Sequence, residues 1–240
     1  MLFGQTLIGK ILRLPLSLIP SESEVRILRG PLRGKKWIVG AANHACWTGT
    51  YEVDRLAAFG EAICPGATVY DVGANVGIYT VLASVKAGPT GQVYAFEPVE
   101  RNLRYLRRHL TLNQLQNCLI LETAVSNLQG TRRFSAASYD FRMGRLSPDG
   151  EREVPSVSLD SCIYAESAFQ PPDIIKIDVE GAESEVLEGA SRTIAEFHPT
   201  VFVEVHGPQQ HAYCNAFLAA NGYHVEEGYG WLTAARPFSK

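Results

Sequence analysis

Four apolar runs of this chain end on side chains that can do chemistry. TVYD brings in Asp71, QVYAF is followed by Glu97, DIIKI by Asp178, and TVFV by Glu204 with His206 close behind. Carboxylates accept hydrogen bonds from hydroxyls, and a carboxylate or an imidazole can take up a proton. In an open α/β sheet, ligands lie beyond the carboxyl ends of the strands, near the point where strand order reverses. These residues are candidates on position alone.

The stretch TVYDVGANVGIYT narrows the chemistry. Its glycine turn lies between an apolar run and a helical stretch, the context of a nucleotide cradle. The turn is GANVG rather than GxGxxG, so the second glycine that brings backbone close to a pyrophosphate is missing. Asp71 just before it repels phosphate and favours an ammonium group, directly or through water. Glu97, ending the next run, suits both hydroxyls of a ribose. S-adenosylmethionine, with an amino-acid tail and a ribose, satisfies both residues. NAD satisfies only the second, which disfavours a dehydrogenase.

The elements that position these residues follow from the pattern. TVYDV, QVYAFE, CLILET, DIIKIDV and TVFVEV read as strands, and YTVLASVKA and VERNLRYLRRHLTLNQ as helices between the first of them. Near-continuous apolar strands alternating with helices predict a parallel sheet covered on both faces, a doubly wound α/β fold. Residues 131–160 break the rhythm and read as one or two edge strands around a loop. A helix over QQHAYCNAFLAAN is followed by two strand-like runs around Gly228, a terminal antiparallel hairpin. Upstream, VRILRGPLRGKKWIVG reads as a β-hairpin, and NHACWTGTYEVDRLAAFGEAI as a loop becoming a helix near Thr50. The first twenty residues place Leu7, Ile8, Ile11, Leu12 and Leu14 on one helical face. With Gln5, Lys10 and Arg13 interrupting them, they cannot span a bilayer. An amphipathic helix there packs on the domain or on a second copy in a homo-oligomer, or else docks on a membrane surface. The boundary falls near residue 62: N-terminal helix, hairpin and lid or substrate elements over 1–62, and a donor-binding domain over 63–240, together one compact unit.

The bulk numbers exclude other classes. A net charge of −3 over 240 residues carries no polybasic signature, so nucleic acid is not an expected partner. Arg101, Arg104, Arg107 and Arg108 read as the solvated face of a helix. Five scattered cysteines without a CxxC pair support neither a zinc cluster nor a disulfide framework, and a reducing, cytoplasmic setting is expected.

DVGANVGIYT, VYAFEP, AVS at 124–126 and DIIKIDVEGAE, in this order and spacing, resemble the FkbM-type family of class I S-adenosylmethionine-dependent methyltransferases. The similarity runs from about residue 26 to about residue 225 and includes GTYE at 49–52. The resemblance implies a Rossmann-like seven-stranded, mostly parallel sheet ending in a reversed hairpin, and O-methyl transfer to hydroxyls of sugars, glycolipids or polyketides. It also implies site residues. Asp71, Gly73, Asn75 and Gly77 would face the methionine portion of the donor, Glu97 would bind the ribose, and Pro98 would shape the loop beside it. The stretch from Glu122 through Thr123 and Ala124 to Val125 would lie along the adenine. Asp178 and Glu180 would stand near the methyl group and the acceptor. Asn113 matches the family pattern as well, and reads equally as a helix C-cap.

A sugar hydroxyl is a weak nucleophile, so a base or a metal should assist its proton loss. Asp178, Glu204 and His206 are the candidates for catalysis. His206 otherwise reads as a hydrogen-bonded loop or substrate-contacting histidine, and Asp178 as an N-cap. Asp178 and Glu204 could hold Mg²⁺, which prefers oxygen ligands. Lys176, inside a run of isoleucines, calls for a buried carboxylate partner. Acceptor recognition is expected from Trp47, Tyr51 and Glu52, from Glu180 and His206, and from residues 137–147. Trp47 and Tyr51 either stack on a sugar or cover the donor, or else pack the N-terminal elements. The expected activity is methyl transfer to a saccharide or glycoconjugate hydroxyl. A polyketide or lipid-linked hydroxyl is the alternative acceptor, and a non-catalytic nucleoside-binding module the reading from another class.

Overall fold

In a computed structural model of the chain, the described residues are 18–136, 144–147, 149–165, 169–228 and 231–235. The expected N-terminal helix, and with it the oligomer and membrane-surface readings, lies outside them, as does most of the 137–147 stretch.

The centre is a seven-stranded sheet in the order β12-β13-β11-β10-β3-β4-β5. Its strands are β3 (Thr68–Val72), β4 (Gln92–Phe96), β5 (Cys118–Leu121), β10 (Ile174–Ile177), β11 (Thr200–Glu204), β12 (His224–Gly228) and β13 (Trp231–Ala235). The first five are mutually parallel, and β13 runs antiparallel to both β11 and β12. This is the sheet with a reversed terminal hairpin that the resemblance implies. From β3 the chain winds outward through β4 and β5, and from β10 it winds the other way through β11. The strand order therefore reverses between β3 and β10, and a ligand crevice is expected at their carboxyl ends. Tyr70 and Val72 of β3, Ile175 and Ile177 of β10, and Val201 and Val203 of β11 pack on one face of the sheet. Val69, Val93 and Ala95 pack on the other. A sheet covered on both faces needs such unbroken apolar runs, which is why they were legible.

The helices α3 (Ile78–Ala87) and α4 (Glu100–Leu112) follow β3 and β4, and α8 (Pro208–Ala220) follows β11. The region read as edge strands is instead a separate four-stranded sheet. It comprises β6 (Ala124–Val125), β7 (Gly130–Ala136), β8 (Gly144–Leu146) and β9 (Arg152–Val157), in the order β6-β9-β7-β8. Its strands are short, and the adjacent polar pairs Arg132-Arg133 and Arg152-Glu153 break the apolar/polar alternation by which a half-buried strand is read.

The N-terminal hairpin, β1 (Glu24–Arg26) with β2 (Lys36–Ile38), is present and antiparallel. The segment read as a loop before Thr50 holds a short helix, α1 (His44–Thr48), capped by the Asn43 side chain on Ala45 N–H at 2.9 Å. A second helix, α2, spans Val53–Ala62. The hairpin is fastened to α4. His109 stacks on Trp37 at 3.7 Å, accepts the Ile38 N–H at Nε2 and bonds the Val76 carbonyl through Nδ1. Burial pushes its pKa down to about 4, so it stays neutral. Asn113 is indeed the C-cap of α4, and it also bonds both polar backbone groups of Lys36. The basic face of α4 is not simply solvated: Arg101 bonds the carbonyls of Gly40 and Ala41, Arg108 pairs with Glu22, and Arg107 with Glu122.

Lys176 of β10 lies in register with Asp71 of β3, 2% exposed. Its Nζ is 3.2 Å from Asp71 Oδ1, 3.7 Å from Asp178 Oδ2 and 3.0 Å from the Gly73 carbonyl, and it stands over the Tyr79 ring. Burial alone would lower its pKa, but the facing Asp71 carboxylate, with Asp178, carries it above the usual lysine value. Removing one partner of such a pair leaves an uncompensated buried charge. Lys176→Met is therefore expected to cost about 3–5 kcal/mol of unfolding free energy. The Asp71→Leu/Lys176→Met double variant should cost less. Urea denaturation of both measures the difference, and a loss under about 1 kcal/mol in the single variant would refute the role given to the pair.

Candidate active site

The turn after β3 is left-handed at three positions, Gly73 (φ 76°), Asn75 (φ 51°) and Gly77 (φ 95°). It is tied to β4 by the Gly73 and Ala74 N–H groups, both on the Phe96 carbonyl at 3.0 Å. A Cβ on Gly73 would lie 1.9 Å from the Asp178 carbonyl, and one on Gly77 would lie 2.4 Å from Leu106 Cδ1. The Asp178 backbone therefore requires glycine at 73, while at 77 the left-handed φ is the stronger reason, since the Leu106 side chain could shift.

Two adjoining hollows open at the β3/β10 reversal, with Gly73, Asn75, Asp178 and Glu180 on the boundary between them. The first is a narrow cleft of about 60 Å³ beside Glu97, Pro98, Thr123 and Ala124, flanked by Phe134 and Leu146 of the four-stranded sheet. The second is a cavity of about 440 Å³ lined by Tyr51, Glu52, Tyr79, Lys176, Glu204 and His206.

In the cleft, Glu97 is 4% exposed and held in place. Its Oε2 accepts the Asn75 N–H at 2.8 Å, and its Oε1 accepts the Val99 N–H at 2.8 Å and Asn102 Nδ2 at 3.3 Å. Burial raises its pKa to about 7, against the pull of these donors and of Lys176. Three of the carboxylate's roughly four acceptor sites are thus taken, and Oε2 keeps one for a further bond. Thr123 and Ala124 line the same cleft, whereas Glu122 is exposed and paired with Arg107. Asp71 lines neither hollow. It is fully buried, accepting the Thr80 hydroxyl at 2.6 Å and facing Lys176, so its carboxylate acts inside the fold rather than on a ligand's ammonium.

In the larger cavity, the chain turns sharply after β10, with Glu180 (φ 56°) and Gly181 (φ 101°) left-handed. Gln210 of α8 staples this turn by bonding the Gly181 carbonyl and the Ser184 N–H, each at 2.9 Å. Asp178 is therefore not an N-cap. Its pKa is raised by burial, with Lys176 and His206 pulling it back. His206 Nδ1 bonds Glu183 Oε1 at 2.6 Å, and its Nε2 is 3.3 Å from Glu180 Oε2. The Glu183 bond, with Glu180 and Asp178 nearby, raises its pKa to about 9 despite burial. At neutral pH the ring thus carries its proton and does not accept another. Glu204 is bonded by Arg55 at 3.2 Å, and burial together with Asp178 raises its pKa. Ligand atoms of Asp178, Glu180 and His206 lie within 4.8 Å of one another. Glu204, paired with Asp178 as the expected Mg²⁺ ligand, stands outside that group.

Glu52, left-handed at φ 38°, accepts the Tyr79 hydroxyl at 2.7 Å and pairs with Arg55. Tyr51 lines the cavity, and burial first, then Glu52, raises its pKa. Trp47 does not line either hollow. It is 5% exposed in the core, its Nε1 bonded to His44, and so takes the packing reading. The sequence does not single out Tyr79, Asn102 or Glu183, although Glu183 closes the IKIDVEGAE stretch and Asn102 stands one and a half helical turns beyond Glu97.

Residues 71–225 match the Methyltransferase FkbM domain family. The chain belongs to this family. The match begins at Asp71, so the upstream similarity read from about residue 26 lies outside it. The family's members are S-adenosylmethionine-dependent methyltransferases, and S-adenosylmethionine is the donor here. The chain is 28% identical to the 31-O-demethyl-FK506 methyltransferase FkbM of Streptomyces tacrolimicus, over 61% of this chain and 68% of that protein. It is 29% identical to the hexuronic acid methyltransferase AglP of Haloferax volcanii, over 58% of this chain and 55% of that protein. Among solved structures, the precorrin-6y C5,15-methyltransferase of Geobacter metallireducens shares the fold, with TM-score 0.50 and 14% identity over 77% of this chain and 88% of that one.

The residues of this FkbM methyltransferase fit such a donor. Glu97 presents a buried, donor-fixed carboxylate in a cleft with apolar flanks, as a nucleoside requires. Ribose hydroxyls would donate to that carboxylate and so favour its ionised form. Binding should therefore strengthen as pH rises through about 7 and level off above it. Glu97→Ala should weaken S-adenosylhomocysteine binding by roughly 1–3 kcal/mol and flatten that pH rise. Calorimetry across this range checks both, and an unchanged affinity in the variant would remove Glu97 from the ribose.

Proposed function

We propose that this enzyme methylates a hydroxyl of a neutral saccharide or glycoconjugate. The observation that carries the reading is the pair of joined hollows, a cleft at the buried Glu97 carboxylate and a polar cavity on the other side of Asp178. The donor supplies a methyl group activated on a sulfonium. The chain's residues bind it, orient the acceptor and remove the acceptor's proton. Glu97 takes the ribose, Thr123, Ala124 and Pro98 border the nucleoside, and the backbone from Gly73 to Gly77 borders the amino-acid end. Holding acceptor oxygen and methyl carbon about 3 Å apart and in line accounts for much of the rate.

Glu52, Asp178, Glu180 and Glu204 bring four carboxylates to the cavity against Lys176, Arg55 and His206. Sugar hydroxyls can donate to such a wall, and Tyr51 offers an aromatic surface beside it. A bare hexuronate would meet like charge. A long apolar polyketide would take these acids out of water without offering them hydrogen bonds. His206 is already protonated, so Asp178 or Glu204 takes up the hydroxyl proton. All five cysteines are free thiols, which suits a reducing compartment such as the cytoplasm. Among the described residues no helix is long and apolar enough to cross a membrane.

The test is a methyl-transfer assay against neutral sugars, hexuronates, glycolipids and macrolide hydroxyls. Transfer to neutral sugar hydroxyls is expected, and turnover confined to a macrolide would sink the saccharide reading. Glu204→Gln should lower kcat about 100-fold or more with S-adenosylhomocysteine affinity unchanged. A loss below about tenfold would leave proton removal to Asp178.

A further inference from the structure

We infer that Asp178, Glu180 and His206 form a divalent-cation site at the boundary of the two hollows, oriented by Glu183. This rests on the methyltransferase reading for its purpose, though not for its geometry. The three side chains come from two separate segments, the end of β10 and the turn after β11. Each offers one ligand atom, and these atoms lie within 4.8 Å of one another, a spacing that a single ion can bridge. All three are half-buried and line the acceptor cavity, so a bound ion would keep open positions toward it.

The second observation lies outside this cluster. Glu183 is fully buried in α6 (Glu183–Glu188), and its Oε1 accepts both the Gly181 N–H at 2.9 Å and His206 Nδ1 at 2.6 Å. Its Oε2 is buried with no hydrogen-bond partner among the described residues. A histidine that ligates a metal donates its other ring N–H to a carboxylate or carbonyl in this way, which fixes the ring and sharpens its ligating nitrogen. Here that arrangement commits Nδ1–H to Glu183 and aims Nε2 at Glu180, and a bound ion would displace the proton that Nε2 carries in its absence. The left-handed backbone at Glu180 and the Gln210 staple hold the carboxylates in place without using their side-chain oxygens.

The donor set is two carboxylates and one imidazole. Carboxylates suit Mg²⁺ and Mn²⁺, whereas imidazole draws preference toward transition metals, and Mn²⁺ satisfies both. The ion would bind the acceptor oxygen and polarise its O–H bond, a Lewis-acid role. With Asp178 ligating, the proton passes to Glu204. The oxygen lone pair forms the new O–CH₃ bond, the S–CH₃ electron pair returns to sulfur, and S-adenosylhomocysteine leaves as a neutral thioether. No oxidant or further reactant is needed.

The experiment is titration of Mn²⁺ into the full chain after chelator treatment, with S-adenosylhomocysteine binding measured on the same preparations. One Mn²⁺ per chain is expected. His206→Ala and Glu180→Gln should each weaken it at least tenfold, and Glu183→Gln by about 10–100-fold. Glu204→Gln should leave it unchanged, and melting curves establish that each variant is folded. Should His206→Ala fail to fold, Glu183→Gln and Glu180→Gln decide the outcome. Absence of Mn²⁺ uptake by a chain that binds S-adenosylhomocysteine would overturn the cation site alone. Uptake unchanged in His206→Ala would also overturn it. Mn²⁺ uptake without S-adenosylhomocysteine binding would keep the site and defeat the methyl-transfer reading.

Discussion

The buried Lys176–Asp71 pair is the constraint on which the site depends. It joins β10 to β3 across the line where the strand order reverses, so both halves of the sheet meet at one ion pair. The same ammonium reaches the Gly73 carbonyl and the Asp178 carboxylate. Together with the β3–β10 backbone ladder and the Asp178 N–H bond to the Val72 carbonyl, this side chain sets the glycine turn and the end of β10 relative to one another. A charge this deep is costly unless compensated, and here the compensation is spent on geometry at the functional end of the sheet.

From that pair the structure extends in two directions. Toward the narrow cleft, the turn backbone bonds β4 and the Asn75 N–H bonds Glu97, so the position of that carboxylate and the turn conformation are coupled. Toward the acceptor, Tyr79 connects α3 to Glu52, Arg55 joins Glu52 to Glu204, and Glu183 anchors His206. The cavity wall is a network of acids each held by a named partner. Its net character is negative, and only the basic groups at its rim and floor temper it.

The N-terminal segment is part of this arrangement. His109 bonds the backbone of both the hairpin and the donor turn, and Asn113 bonds Lys36. Trp37, Trp47 and Phe59 share an apolar cluster with Val69, Val81 and Leu82. Tyr51 and Glu52 reach the acceptor cavity because that packing sets their backbone.

Much of this was legible in the sequence. Unbroken apolar runs announced the parallel strands, since only strands buried on both faces can do without polar residues. Their terminal acids announced the functional edge. One or two strands were legible in 131–160, but not that they form a separate four-stranded sheet, because pairing between β6, β7, β8 and β9 is set by tertiary contact and the strands are short. The sequence by itself also marked a glycine turn at 73–77 and an acid partner for Lys176. Only tertiary structure decided why. Gly73 yields its side-chain space to the Asp178 carbonyl, not to a ligand, Gly77 holds a left-handed φ, and Asp71 turns inward to Lys176. Likewise, His206 stood out by its place after a strand, but Glu183, twenty-three positions earlier, determines its protonation and orientation. Such pairings depend on distances of a few ångströms between segments far apart in the chain, and no local pattern encodes those.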